Sequence, residues 1–574
     1  MNRLLTLSLL LFWQITLAQT HKQYQELISK SDEYFADKLA SDHIVGVSAA
    51  IVIDGQVIWA RGFGYSDRDR KVPMLPETVV NIGSVTKTFT SLAVMQLHEK
   101  GLLNINKRLN TYLPGFHPMS RPQYSANTVT IRSVITHTSG IQSDIWKNSD
   151  LESGKYTDVL RYINDTYLLY PAGAVALYSN AGYNVLGHLV KTVSKEDYAD
   201  YVHKHIFLPL KMTSSGFAMD ALKNRTKIYA YGQEFKEYEL RDIASGGIYS
   251  NINDLAIYAI GMLDAYRGKS NALISQKTAQ QMFALSNASV RIETNKKGLG
   301  WFEFRNNSTF APYHAGSAGF AQAKLLLFPD KNAAVMVLTN TAEGGKAAEE
   351  FCFNMLPRFG LSVSDLFPSP INIPAATTTT VSLNKLILQA HVGSYASSVP
   401  YTTIRFDNGH LNMESAGNVT LLKPVSSNEY IPYTIKGADT VIKNIKQRYF
   451  FNDIGGYHYL IQSDKNREYN IGYRLRPIDT LAWKQRSGLY EQYGYQMLIG
   501  DSKFKSIEIY ITPDQVLMCR LKTMGSSNEI PLDVIDSNHA MTTNLYSGFG
   551  GFTVTFHNEG AYQIVNFGGI TFRK

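Results

Sequence analysis

The sequence predicts an α+β domain, an antiparallel sheet flanked by helices, followed by an all-β C-terminal region. Three observations carry that prediction. Apolar, β-rich runs at residues 45–65 and from residue 310 onward bracket a helical middle. A stretch rich in Pro, Ala and Thr, Pro368-Ser369-Pro370 and then residues 375–380, marks a linker. Beyond it, short strand-like runs alternate with turn residues to the end of the chain. At 574 residues the chain exceeds one ordinary core, so several domains are expected.

The N-terminus reads as a signal peptide over residues 1–18. Arg3 supplies the positive charge, residues 4–18 are mostly apolar, and Thr16-Leu17-Ala18 offers small residues for cleavage before Gln19. The apolar run is shorter than the roughly 20 residues a spanning helix needs. An exported protein, periplasmic or secreted, with no membrane span after cleavage is therefore expected. With no Cys near that site, a lipid anchor is not expected.

Residues 19–365 form the first predicted domain. Residues 21–39 have amphipathic helical spacing. Residues 45–52 and 57–65 are strands joined at Asp54-Gly55, a turn that needs positive φ. Residues 86–99 are helical, with Gly101 as the stop. Residues 114–283 mix helices and loops. Residues 322–328 and 333–339 form a second hairpin, and residues 346–358 a helix. One sheet built from both ends of the domain satisfies this order. After a linker at 366–384, residues 385–480 and 481–574 are predicted to be two small β-barrels. Val392-Gly393-Ser394-Tyr395 echoes Ser487-Gly488-Leu489-Tyr490, and Leu422-Lys423-Pro424-Val425 echoes Ile530-Pro531-Leu532-Asp533-Val534. One larger β-domain is the alternative.

Composition is globular, with 44% hydrophobic and 18% charged residues. The net charge of +8 is spread along the chain without a Lys/Arg block. No nucleic-acid-binding signature accompanies it. Cys352 and Cys519 are expected to be buried free thiols.

Ser84-Val85-Thr86-Lys87 places a hydroxyl and an amine one helical turn apart. A serine is a poor nucleophile until a base takes its proton, and a lysine serves once its ammonium is disfavoured. Tyr178-Ser179-Asn180 lies between a loop and a helical run. A tyrosine there suits proton shuttling, and an asparagine can bind a substrate amide through its acceptor and donors. His314-Ala315-Gly316-Ser317-Ala318-Gly319 runs into a strand. Small residues such as Gly316 admit a substrate backbone, His314 is placed at the rim as a substrate contact, and the Ser317 N–H with that of Ser84 can form an oxyanion hole. Residues 315–319 mimic the nucleophile elbow of α/β-hydrolases, but a strand follows where that elbow needs a helix.

Taken in order, these segments resemble the serine β-lactamase and penicillin-binding-protein superfamily, in particular its class C-like branch. The resemblance runs from about residue 46 to about residue 341. It includes Asn81-Ile82-Gly83-Ser84-Val85-Thr86-Lys87, residues 129–140, Tyr178-Ser179-Asn180-Ala181-Gly182-Tyr183, Gly246-Gly247-Ile248-Tyr249-Ser250 and His314-Ala315-Gly316. It implies that Ser84 is acylated, that Lys87 and Tyr178 share proton transfer, and that Asn180 binds the substrate amide. It also implies that the Ser84 and Ser317 N–H groups hold the oxyanion, and that His137-Thr138-Ser139-Gly140 is a structural loop. Many β-lactamases carry Lys where this chain has His314, and a neutral imidazole is the weaker anion partner. Relatives with His there include D,D-peptidases and D-aminopeptidases. The C-terminal region is similar to the lipocalin-like domains that follow this fold in D-aminopeptidase-like relatives.

The expectation is an exported serine hydrolase acting on small peptides or amides with D-residues, or on esters, with cell-wall-derived peptides among the candidate partners. No metal or organic cofactor is implied. A β-lactamase proper is the alternative enzyme, and a binding or scaffold protein that keeps the fold is the alternative of another class.

Overall fold

The computed structural model describes residues 24–121, 124–147, 155–269, 273–286, 295–367, 380–396, 401–436, 439–442, 447–463, 468–494, 504–523, 526–543 and 551–574. The expected signal peptide and most of the expected linker lie outside them. Among the described residues no helix is long and apolar enough to cross a membrane. The chain divides into two compact units, residues 1–103, 190–285 and 297–366 in the first and residues 104–189, 286–296 and 367–574 in the second. Residues 104–189 thus group with the C-terminal region.

The first unit holds β1 (Gly46–Ile53), β2 (Gln56–Asp67), β3 (Val72–Pro73), β4 (Val80–Asn81), β5 (Ile228–Ala230), β6 (Gln233–Phe235), β7 (Tyr249–Ser250), β8 (Phe302–Arg305), β9 (Phe310–Ala318), β10 (Ala321–Phe328) and β11 (Ala333–Thr339). Seven of these form one antiparallel sheet in the order β3-β2-β1-β11-β10-β9-β8, while β4 pairs with β7 and β5 with β6. The expected sheet from both ends of the domain is this one: Val47 faces Thr339 and Val52 faces Ala334 across β1 and β11. Every residue of β1 and of β11 is buried. That explains their unbroken apolar runs, since a strand covered on both faces has no solvent side to alternate toward. Helices Gln25–Ser41 and Gly344–Phe353 meet through Phe35 and Phe351, with ring centroids 4.6 Å apart. Helix Ile252–Tyr266 packs on β1 and β11. Asp54 and Gly55 both take positive φ, 54° and 72°, as the predicted turn requires.

One expectation shifts in detail. The helix predicted over 346–358 is Gly344–Phe353, followed by a separate 3₁₀ turn at Leu356–Phe359. Pro357 lacks an N–H and disfavours helix at the residue before it, so the α-helix stops short. Helix Thr86–Glu99 is buried almost throughout, Thr86, Thr88, Thr90 and Ser91 included. Burial of those hydroxyls is tolerated because they are bonded: Thr88 Oγ1 donates to Val85 O at 2.8 Å, and Thr90 Oγ1 to Ala244 O at 2.6 Å.

The second unit contains two barrels. The first comprises β12 (Gly393–Ala396), β13 (Thr402–Asp407), β14 (His410–Ser415), β15 (Asn418–Pro424), β16 (Glu429–Lys436), β17 (Asp439–Ile442), β18 (Arg448–Ile454), β19 (Tyr457–Ser463) and β20 (Glu468–Arg474). The sheet closes by pairing β15 with β16, leaving β17 as an extra strand on β16. The second runs β21 (Gly488–Tyr493), β22 (Phe504–Ile511), β23 (Leu517–Thr523), β24 (Ser527–Val534), β25 (His539–Thr542), β26 (Thr553–Glu559), β27 (Tyr562–Phe567) and β28 (Ile570–Arg573), and β28 closes onto β21.

The internal echo is a real repeat. A short helix, Lys385–Gln389 or Thr480–Arg486, leads into the first strand of each barrel. Tyr395 Oη donates to His391 O at 2.7 Å and Tyr490 Oη to Arg486 O at 2.6 Å, the same bond four residues back in both. The second pair of echoing segments falls on the fourth strand of each barrel, β15 and β24. Two barrels, rather than one larger β-domain, account for both. Cys352 and Cys519 are buried free thiols, and burial pushes the Cys352 thiol up to about 12.

Candidate active site

In the first unit, Asn81 Oδ1 accepts from Gly83 N at 2.8 Å and shapes a 3₁₀ turn, Gly83–Val85, that leads directly into helix Thr86–Glu99. Ser84 sits on that turn, half-buried, and Lys87 follows on the first helical turn, fully buried. Lys87 Nζ lies 3.0 Å from Ser84 Oγ and 2.7 Å from Ser245 O. The carbonyl comes from the short helix Ile243–Gly246, which packs on helix Thr86–Glu99. Two anchors therefore fix the amine beside the hydroxyl. The helix N-terminus adds a positive potential where negative charge would develop on the serine.

Strand β9 brings His314, Gly316 and Ser317 to the same place. A Cβ on Gly316 would lie 2.0 Å from Ile82 O and 3.0 Å from Ser84 N. A Cβ on Gly83, whose φ is +49°, would lie 2.5 Å from Ser317 N. Only glycines allow the two backbones to approach this closely, and the approach brings Ser84 N against Gly316 and Ser317 N against Gly83. Beyond the exposed Ser317 the chain turns into β10, where Ala323 pairs with Gly316. This is strand–turn–strand, so the elbow reading of residues 315–319 is excluded.

His314 corrects its expected position. It is not at the rim: it is 2% exposed, its ring 5.3 Å from that of Phe302. Burial first, and then the nearby Lys87, hold its imidazole down to about 3, against the bond between Nδ1 and Ala315 O at 2.7 Å. The ring is neutral at physiological pH, with Nδ1 carrying the proton. A carboxylate partner in the manner of a lysine ammonium is therefore not supplied here.

Tyr178 and Asn180 belong to the second unit, with the loop that supports them. The Tyr178 ring, half-buried, lies 4.4 Å from His137, whose other neighbour is Tyr183 at 5.0 Å. His137 Nδ1 accepts from Ser179 N at 3.0 Å, so its proton resides on Nε2 in the neutral ring. Ser179 Oγ donates to Gln142 O at 2.6 Å and accepts from Gly182 N at 2.8 Å. Asn180 Nδ2 donates to Asp144 Oδ1 at 2.8 Å, which orients the amide with Oδ1 as its acceptor end. The 137–140 segment is buried, in line with a supporting loop.

Sequence reasoning missed three groups. Ser245 acts through its carbonyl, so its side-chain type carries no signal; only its place beside Gly246-Gly247 hints at it. Asp144 and Gln142 follow the His137–Gly140 segment without a spacing that marks them.

A seven-stranded antiparallel sheet with a Ser-x-x-Lys turn opposed by a glycine-bearing strand defines the serine β-lactamase and penicillin-binding-protein fold. The family profile described as Beta-lactamase matches residues 31–351, and the chain belongs to that family. Protein flp of Staphylococcus aureus (strain MRSA252) is 31% identical over 320 residues, 54% of this chain and 62% of that protein. The chain thus spans about three fifths of the length of the curated relatives it matches. Two solved structures share the fold. The octameric penicillin-binding protein homologue from Pyrococcus abyssi has a TM-score of 0.51 at 22% identity, covering 77% of this chain and 99% of that one. SurE, solved with D-Leu, has a TM-score of 0.55 at 20% identity, covering 77% and 98%.

Proposed function

We propose that this protein is an exported serine hydrolase that works through a Ser84 acyl-enzyme on small peptides or amides carrying D-residues, or on simple esters. The observation that carries the reading is the buried Lys87 amine, 3.0 Å from Ser84 Oγ and tied to Ser245 O. The base form of Lys87 accepts the Ser84 proton across that contact. Ser84 Oγ then bonds to the acyl carbon as its proton passes to Lys87 Nζ, with Tyr178 sharing the transfer. The Ser84 and Ser317 N–H groups hold the oxyanion, and the proton goes on to the leaving nitrogen or oxygen as that bond breaks. Water cleaves the resulting ester by the reverse sequence and frees Ser84. The Asn180 amide accepts from a substrate N–H.

The neutral, buried His314 favours substrates that do not depend on a fixed cation there, which ranks peptides, amides and esters above carboxylate-bearing β-lactams. That SurE was solved with D-Leu agrees with D-residue substrates for this fold. Export rests on the pattern of residues 1–18. The test is a mass-spectrometric search for an acyl adduct on Ser84 with a fluorophosphonate, a D-alanyl p-nitroanilide, a short-chain ester and nitrocefin, against Ser84→Ala. A Ser84 adduct with the fluorophosphonate, and turnover of the D-alanyl p-nitroanilide and the short-chain ester, are expected. Rapid nitrocefin turnover without peptide or ester cleavage overturns the substrate ranking, and absence of any adduct overturns the hydrolase reading.

A further inference from the structure

The second barrel packs against a side chain from outside itself. Trp146 lies with its ring centroid 4.3 Å from that of Phe552, 5.1 Å from Phe504 and 5.9 Å from Phe567, packed against the barrel core. Its backbone N–H donates to Gly568 O at 2.8 Å. The Gly568-Gly569 turn between β27 and β28 is shaped to receive it. A Cβ at Gly568 would meet Trp146 Cε3 at 2.8 Å, and one at Gly569 would meet Lys147 Cβ at 2.5 Å. From β26, Thr553 N reaches Gln142 Oε1 at 3.5 Å.

The other side of the same loop carries the Tyr178-Ser179-Asn180 motif. Gln142 O accepts from Ser179 Oγ, Ser143 O accepts from Ala181 N at 3.1 Å, and Asp144 Oδ1 accepts from Asn180 Nδ2. The chain entering the motif is also held by the barrels: Leu169, Tyr170, Val175 and Leu177 share one apolar cluster with Tyr459, Ile461 and Tyr473 of the first barrel and Met541 of the second. Residues 142–147 therefore form a short rigid link between barrel and asparagine, with a bond at each end.

We propose that the second barrel is a positioning module for the Asn180 amide. Trp146, seated in the barrel, fixes the 142–147 loop, and Asp144 then turns the Asn180 Nδ2 away so that Oδ1 faces the substrate N–H. Trp146 and Asp144 are positioning residues, and the catalytic consequence rests on the hydrolase reading above. The barrel interior is packed with its own side chains and this tryptophan lies against them, so the module acts through the loop it grips.

The test uses the full chain with Trp146→Ala, Trp146→Phe and Asp144→Ala. Hydrogen–deuterium exchange is read on peptides covering 140–147 and 178–184, with β1 and β11 as internal references. Trp146→Ala is expected to speed exchange in both segments about tenfold while the reference strands stay unchanged, and Trp146→Phe to restore protection, since a ring still fills the site. For a D-peptide ester with an N–H beside the scissile bond, KM rises about five- to tenfold in Trp146→Ala and Asp144→Ala, the loss of one well-aimed hydrogen bond. For a plain acetate ester without that N–H, KM changes less than about twofold on the same argument. Asp144→Ala leaves the barrel untouched, so it separates lost aim from a loosened barrel. Unchanged exchange at 178–184 in Trp146→Ala, or an equal loss on both esters, overturns the proposal. Failure of the wild-type protein to acylate Ser84 overturns the hydrolase reading instead, and the exchange measurement still decides the coupling.

Discussion

Gly316→Ala tests the oxyanion arrangement without removing any reacting group. The added Cβ would lie 2.0 Å from Ile82 O and 3.0 Å from Ser84 N, and both neighbours are backbone that cannot swing aside like the end of a side chain. An ordinary contact is more than 3 Å, so strand β9 and the Ser84 turn must separate by about 1 Å. A misplacement of about 1 Å costs on the order of 10²-fold in rate, and loss of one oxyanion donor costs about 10²–10³-fold, or roughly 3–4 kcal/mol of barrier. The expected kcat is therefore down by about 10²–10³-fold, with stability lowered by about 1–3 kcal/mol from overpacking. Hydrolysis of a p-nitrophenyl ester gives the rate, and thermal unfolding shows that the variant is folded at the assay temperature. Gly115→Ala, where an added Cβ meets nothing nearer than Leu160 Cδ1 at 3.8 Å, is the comparison. A folded Gly316→Ala protein with a kcat within threefold (about 0.7 kcal/mol) of wild type refutes the pairing of the Ser84 and Ser317 amides.

Lys87→Met keeps the volume of the buried stem and removes the proposed base; ester hydrolysis is expected to fall by about 10³-fold or more, while the far-ultraviolet spectrum is retained. The His314 imidazole is held down to about 3 in the folded chain, so between about pH 6.5 and pH 3 the unfolded chain binds a proton that the folded one refuses. Its contribution is thus fully favourable above pH 6.5 and is lost as pH falls, by up to about 1.4 kcal/mol per pH unit; urea unfolding of His314→Gln is expected to show a shallower decline from pH 6.5 to 4.5 than wild type. Within the second unit, Arg121 and Asp533 form an ion pair at 2.8 Å with side chains 4% and 1% exposed. Asp533→Ala strands that buried guanidinium, and chemical denaturation is expected to show about 3–5 kcal/mol of lost stability.

The elements that were legible in the sequence are those set by neighbours along the chain. The Asp54-Gly55 hairpin, the helix over residues 86–99 and the paired strands around Pro329–Lys331 follow from turn chemistry and apolar spacing, which act over a few residues. Ser84 and Lys87 lie three residues apart, so helical geometry alone brings them together. The barrel repeat was visible as faint echoes because equivalent strands place the same residue types at the same register.

Other features are contacts between segments far apart in sequence, and only the tertiary structure decided them. The Ser245 carbonyl reaches Lys87 across 158 positions, and the carbonyl looks the same whatever the side chain. The burial of His314, which turns an expected rim contact into a neutral core imidazole, depends on how β9 is covered and not on the residues beside it. Trp146 reads as a loop aromatic until the barrel some 400 positions later closes on it through Phe504, Phe552 and Phe567. The sequence by itself therefore determined the β-lactamase-type fold and the pairing of Ser84 with Lys87. The folded chain decided what holds that lysine in place and what charge stands beside it, and it set which distant module grips the loop beneath Asn180. Desolvation and hydrogen-bond partners are properties of the packed neighbourhood, and no local pattern encodes them.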